Sequence, residues 1–148
     1  MSVLAGSLIK AAELLPAALT EDRGTPQLTL TNAYQDIGGM TRTFTTLNNN
    51  AKALVIGVVD FSVTTAIGAT GLCLAQLLVD GVADPSLVVL DANQVIRATV
   101  LNSWVVDLAT AGSHTIKMQA EKSINAGVAV VPATHPGLLI LLFDHDFS

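Results

Sequence analysis

Residues 110–122, TAGSHTIKMQAEK, constrain the fold more than any other stretch of the chain. Ala111-Gly112 supplies a turn, after which His114, Ile116, Met118 and Ala120 fall on one side and Thr115, Lys117, Gln119 and Glu121 on the other. A period of two with one apolar and one polar face predicts a strand packed on a core and wetted outside. A helix would scatter both sets around its circumference. The class that follows is all-β, an antiparallel β-sandwich or jelly roll.

The rest of the chain from Gln27 onward carries the same signature in pieces. Residues 27–31, 33–37 and 41–47 read as short strands, with Gly38-Gly39 as a break and Asn48-Asn49-Asn50 as a turn. Residues 51–65 form the longest candidate. Ala53, Val55, Gly57, Val59, Phe61 and Val63 line one face, while Leu54, Ile56 and Val58 line the other before Asp60, Ser62 and Thr64 turn it polar. Asp80-Gly81 is a strong hairpin signal, because a two-residue loop needs positive φ. Residues 97–108 alternate again, with Ala98, Val100, Trp104, Val106 and Leu108 facing one way. Arg97, Thr99, Ser103 and Asp107 face the other way, interrupted by Leu101 and Val105. Residues 138–143, LLILLF, lack alternation and read as a strand covered on both faces.

Those doubly apolar strands need a cover. Charged residues make up 13% of the chain, where about 25% is usual for a soluble domain. A strand in a lone two-sheet sandwich shows water on one side, so Leu54, Ile56 and Val58 predict a neighbouring subunit. A membrane is the weaker explanation. The uncharged segments 61–79 and 123–143 are broken by Thr, Gly, Gln and Pro rather than continuously apolar. The net charge of −5, with seven scattered Lys and Arg, argues against a nucleic-acid partner. The single cysteine, Cys73, sits among leucines and cannot form an intrachain disulfide.

Residues 1–26 are set apart as an N-terminal arm and linker, leaving residues 27–148 as the domain. Leu4, Leu8, Ala11, Ala12 and Leu15 recur at helical spacing, and Pro16 would end such a helix. Two uses suit that stripe equally, a cap on the domain or an arm on a neighbouring subunit. No secretory signal is expected, since Lys10 lies in mid-segment and Glu13 follows it.

Six pieces follow one another along the chain: TNAYQDIGGMTRTFTTL (31–47), a long apolar strand, LLVDGV (77–82), NSWVVDL (102–108), TAGSHTIKMQA (110–120) and LLILLF (138–143). That order resembles the small jelly-roll structural proteins of tailed bacteriophages. These look like tumour-necrosis-factor-type trimers and occur as capsid decoration (cement) proteins and as fibre or tail modules. The resemblance spans residues 31–143 and leaves residues 1–30 outside. It implies a homotrimer with its C-terminal strand near the three-fold axis, no active site and no cofactor.

The expectation is therefore a virion structural protein on the outer surface of the capsid, made in the host cytoplasm, whose partners are its own copies and the major capsid protein. Leu54, Ile56, Val58, Leu139 and Leu141 would form the trimer interface, and Leu4, Leu8 and Leu15 would line a capsid-contacting arm. The alternative is a fibre or tail module that binds a host glycan through loops such as 83–85 and 91–94. Few aromatics for sugar stacking, a short chain opening on Met1 and a detached apolar arm favour decoration. A secreted lectin-like trimer ranks third, for want of an export signal.

Chemistry-bearing constellations are sparse. Ser103 and Ser113 lack a nucleophile elbow, and Ser113 and His114 diverge on a strand. The aspartates 60, 80, 84, 91 and 107 sit mostly at turns, where Asp is favoured for backbone reasons. Residues 68–71, GATG, lack the lysine of a phosphate loop. His145 lies between Asp144 and Asp146, a tail that could collect a hard cation only around a three-fold axis; no metal is expected in one chain. His135 reads as a loop residue and His114 as a hydrogen-bonded histidine of the core or its rim.

Overall fold

A computed structural model describes residues 17–20, 27–65, 71–91, 94–123, 128–131 and 137–145. Every regular element in it is a strand: β1 (Ala17–Thr20), β2 (Leu28–Thr29), β3 (Gln35–Thr46), β4 (Ala51–Thr65), β5 (Leu72–Val79), β6 (Val82–Asp91), β7 (Ile96–Leu108), β8 (Gly112–Lys122), β9 (Val128–Val131) and β10 (Gly137–Phe143). Their pairings are antiparallel and build two sheets. One has the order β1-β10-β4-β9-β2 with β7 on the other side of β4, and the second has the order β3-β8-β5-β6.

β10 pairs with the first half of β4, Gly137 against Val58 through Phe143 against Lys52. β9 takes the end of β4, with Val130 opposite Ser62. β1 and β2 extend these two in turn. The first sheet is thus four rows deep: β1 with β2, β10 with β9, then β4, then β7. The chain starts in the first sheet with β1 and β2, crosses for β3, returns at β4, crosses for β5 and β6, returns at β7, crosses at β8 and returns for β9 and β10. This is the ordering of a jelly roll, and the all-β antiparallel sandwich expected from residues 110–122 is the fold observed.

The alternation reads directly onto the core. Ile116, Met118 and Ala120 of β8 share one buried core with Ala53, Val55, Val59, Phe61 and Val63 of β4 and their neighbours Trp104, Val106, Leu138 and Ile140, and His114 on the same face is buried beside Phe44. The two-residue hairpin behaves as its residues require. Asp80 and Gly81 have φ of 51° and 84°, the pair of positive values that makes a primed turn. Asn50 closes the β3–β4 turn with a φ of 56°.

Three expectations meet a different outcome. Residues 83–85, expected as a loop, lie within β6. Gly38-Gly39 is not a break: β3 runs continuously from Gln35 to Thr46. Its register with β8 slips between Asp36 (opposite Gln119) and Thr41 (opposite Lys117). Gly39, with a φ of 73°, absorbs the bulge, and Ile37 and Met40 both remain buried on either side of it. Residues 17–20, read as part of the arm and linker, pair with β10 as an edge row of the first sheet, because the backbone of β10 offers them a ladder. Within the single chain, β10 is fully covered on one side. Leu138, Ile140 and Leu142 are buried, and Leu139 and Leu141 are half-buried. The described residues hold no helix long and apolar enough to cross a membrane. The stripe of Leu4, Leu8 and Leu15 lies outside the described residues.

The β3–β4 turn is tied to the end of β10. The Asp144 carboxylate accepts the Leu47 N–H (2.8 Å) and the Asn48 N–H (3.0 Å), and the Asn48 side-chain amide donates to the Asp144 carbonyl (3.0 Å). Asp144→Ala removes a charged acceptor from two backbone donors that water can reach. It is expected to lower unfolding stability by about 1 kcal/mol, read as a lower urea midpoint at unchanged slope.

Candidate subunit interface

The outward residues of β4 are Leu54, Ile56 and Val58, and the strand register sets their neighbours. Leu141 lies opposite Leu54 and Leu139 opposite Ile56 on β10. Val105 lies opposite Leu54, Ser103 opposite Ile56 and Leu101 opposite Val58 on β7. Three adjacent strands therefore present one nearly continuous apolar face. Its β4 and β10 members are half-buried by one another, while Leu101 and Val105 are 65% and 71% exposed. All five interface residues expected from the sequence come together here. Leu101 and Val105 were passed over; their signal was their intrusion into the polar side of β7, which makes sense once that side abuts β4.

Charge marks the ends of the face. Lys52 pairs with Asp107 at one end. At the other, Arg97 donates from Nε (3.0 Å) and Nη2 (2.7 Å) to Asp60 Oδ2. Asp60 is on the outward side of β4 and yet only 1% exposed, so the guanidinium compensates a carboxylate that has lost most of its water.

The outer face of the second sheet is polar along β3 and β8, while its β5 and β6 rows carry Leu72, Leu74 and the exposed Val89. Asp36 accepts from Lys117 (3.0 Å) and Gln119 (2.7 Å), Gln119 accepts from Gln76 (3.0 Å), and Thr43 and Thr115 share a hydrogen bond (2.9 Å). The hydrogen bonds from Lys117 and Gln119 hold the Asp36 carboxyl below its usual range, against a smaller burial effect. Burial, with Glu121 beside it, pushes the Tyr34 hydroxyl up. This ladder needs only water, whereas the face of β10, β4 and β7 does not suit water. An exposed apolar patch of this kind is a candidate contact surface.

The remaining candidates fall apart spatially. Ser113 is exposed and His114 is buried on the opposite side of β8. Ser103 points outward on β7. His114 places Nδ1 2.7 Å from Asp80 Oδ2 and Nε2 2.8 Å from the Thr110 carbonyl, a core histidine with both ring nitrogens engaged. Cys73 is buried, and burial pushes its thiol up to about 11 despite the opposing charge of Lys122, which leaves it a poor nucleophile. Asp144 serves the β3–β4 turn, and His145 beside it is exposed. His135 and Asp146 lie outside the described residues. Among the described residues no three His, Cys, Asp or Glu side chains are grouped to hold a metal ion.

No protein-family model and no curated protein matches the sequence. Among solved structures, the chain is similar to that of infectious bursal disease virus Gt strain, with 16% identity over 87% of this chain and 32% of that one and a TM-score of 0.46. It is also similar to the VP2 subviral particle of infectious bursal disease virus, with 11% identity over 87% of this chain and 33% of that one and a TM-score of 0.43. A 4-O-methyl-alpha-glucuronidase with specificity for decorated arabinogalactans shows 10% identity over 88% of this chain and 18% of that one, with a TM-score of 0.40. The chain spans a third or less of each of these proteins. The likenesses concern β-rich architecture, in viral and non-viral settings alike.

Proposed function

We propose that this chain is a non-enzymatic virion structural protein: a homotrimeric capsid decoration protein that binds an assembled phage head and stabilises it. The observation that carries the reading is the continuous apolar outer face of β10, β4 and β7. The apolar one, centred on Ile56, is the surface on which copies of the chain would close a trimer. The polar face of β3 and β8 stays in water. The virion setting is supported by the resemblance of residues 31–143 to phage jelly-roll proteins. In this reading residues 1–16, with Leu4, Leu8 and Leu15, reach the shell or a neighbouring trimer. β1 belongs to the sandwich and is not part of that arm.

The mechanism is mechanical. A trimer that binds the assembled lattice and not its free subunits stabilises the lattice by mass action, in proportion to the logarithm of its concentration over its dissociation constant. No covalent chemistry is required.

Purified protein should co-sediment saturably with emptied heads lacking it and raise the temperature at which they rupture. A chain truncated to begin at Ala17 should remain a folded trimer and bind heads at least about 100-fold more weakly, the effect of losing roughly 3 kcal/mol of apolar contact. Adsorption to host cells or to an arrayed glycan, with no affinity for heads, would replace decoration by the receptor-binding alternative. Full attachment by the truncated chain would remove the role of the arm.

A further inference from the structure

We propose that Asp80, His114 and Thr110 form a proton-operated latch that ties the β5–β6 turn to the β7–β8 turn. The imidazole is the middle link. It is 5% exposed and lies beside the Phe44 ring of β3, with centroids 6.2 Å apart. On one side Nδ1 meets Asp80 Oδ2, and on the other Nε2 meets the Thr110 carbonyl. A carbonyl oxygen has no proton to give. The Asp80 carboxylate is also committed as an acceptor, because the Thr115 N–H donates to its Oδ1 (2.7 Å) while the Asp80 N–H donates to the Thr115 carbonyl (2.8 Å). Both links therefore require His114 to donate from both nitrogens, which only the imidazolium can do.

A neutral ring keeps one N–H. The nitrogen that loses its proton then faces an acceptor lone pair, a repulsive contact that the buried ring relieves only by turning away or by letting the half-exposed Asp80 swing out to water. Whichever link fails, the side-chain relay between the two turns is cut, and Asp80 is left with its two bonds to the Thr115 backbone. The hairpin it holds forms one wall of an open groove of about 320 Å³, lined on that side by Val79, Val82, Ala83 and Asp84 and on the other by Val105 of the apolar face. The protonation state of one buried histidine thus bears on a surface continuous with the candidate interface.

The charges around the ring agree with the geometry. Burial by itself lowers the His114 pKa, but the hydrogen bonds to Asp80 and the Thr110 carbonyl and the Asp80 charge outweigh it and hold it above the ordinary 6.5. Asp80 is the charged group acting on the ring among the described residues; β3 and the β7–β8 turn contribute Phe44 and the Thr110 carbonyl. Burial raises Asp80, and the hydrogen bonds from His114 and the Thr115 N–H, with the His114 charge, outweigh that and hold it below 3.8. A raised histidine contributes stability that is complete below 6.5 and lost as pH rises through its folded value; a depressed carboxyl contributes stability complete above 3.8 and lost as pH falls through its folded value. The latch is closed between those limits and opens on either side.

Nitrogen-15 spectra of the His114 ring in the full-length protein, recorded beside backbone amide exchange from pH 5 to 9, test this. Both ring nitrogens should be protonated at pH 6 and lose a proton with a midpoint above 6.5. Protection of the Ala111, Gly112 and Thr115 amides, corrected for intrinsic exchange, should fall in step with that midpoint by about tenfold or more. Asp80→Asn, which keeps a good primed-turn dipeptide, should lower the midpoint by about one pH unit or more and abolish the coupled step. A midpoint at or below 6.5 in the parent protein, or amide protection that ignores the titration, overturns the latch. A midpoint unmoved by Asp80→Asn overturns the role of Asp80.

Discussion

Replacing Ile56 with glutamate is expected to break the proposed trimer into single 15.3 kDa chains while leaving the sandwich folded. Ile56 is the middle of the apolar face, between Leu139 and Ser103 across the strands and between Leu54 and Val58 along its own. In the isolated chain it is half-buried, so a glutamate there can turn its carboxylate to water at little cost. Against a second copy the same carboxylate is enclosed with no cation to pair it. An uncompensated buried charge costs about 3–5 kcal/mol, which is roughly 150-fold or more in association constant. A closed trimer repeats that cost at each symmetry-related contact, so the effect on assembly exceeds the effect at any one of them. Sedimentation velocity at low micromolar concentration should show a trimer for the parent and a monomer for Ile56→Glu, with an unchanged strand signature in far-UV circular dichroism. Thr115→Glu, on the wetted face of the second sheet, is the matched control and should stay trimeric. A monomeric parent, or a trimeric Ile56→Glu, would end the claim that this face is where copies meet.

That face was legible in the sequence because sheets translate a period of two into sides. Once residues 51–65 are a strand, Leu54, Ile56 and Val58 share a side whatever the topology. The Asp80-Gly81 and Asn48–Asn50 turns were legible for a different reason: their geometry is dictated by φ at one or two residues. Pairing between distant strands is what local pattern leaves out. β1 has four residues, AALT, too few to display a period, and it is a strand because β10 lies beside it. Gly38-Gly39 interrupts the local alternation, yet β8 pairs on both sides of the interruption and makes one strand of two fragments.

Individual tertiary bonds were less legible still. His114 was expected to be hydrogen-bonded, but its partner Asp80 is 34 residues away. Asp144 looked like part of a polar tail and is instead held by a turn 97 residues earlier. Both carboxylates are spoken for by backbone N–H groups, a requirement that side-chain spacing does not encode.

Gly57→Ala should be destabilising, although the substitution of glycine by alanine inside a strand ordinarily helps. The backbone at Gly57 is open to any residue, since its φ is not among the positive values at Gly39, Gly81 and Gly112. On backbone grounds alone, alanine would contribute about 0.5–1 kcal/mol by restricting the unfolded chain. Space decides otherwise. A Cβ at this position would collide with Met118 Sδ across the sandwich and lie 3.0 Å from Trp104 Cζ3 on the adjacent strand. Both of those side chains are themselves buried, 0% and 4% exposed, so neither can swing into solvent. Overpacking of this kind costs about 1–3 kcal/mol, which exceeds the backbone gain, and Gly57→Val, with two more carbons to place, should cost more. Urea unfolding at one fixed protein concentration measures both, because the apparent stability of the proposed trimer would move with concentration. The cause can be separated from any general intolerance of β4. Met118→Ala alone should lose about 2–5 kcal/mol through the cavity it leaves. Combined with Gly57→Ala it should cost less than the sum by about 1 kcal/mol or more, because the new methyl then enters space that the thioether has vacated. Additive losses would mean that Met118 is not what Gly57 makes room for, and a Gly57→Ala protein as stable as its parent would mean that the two sheets do not approach one another so closely at this point.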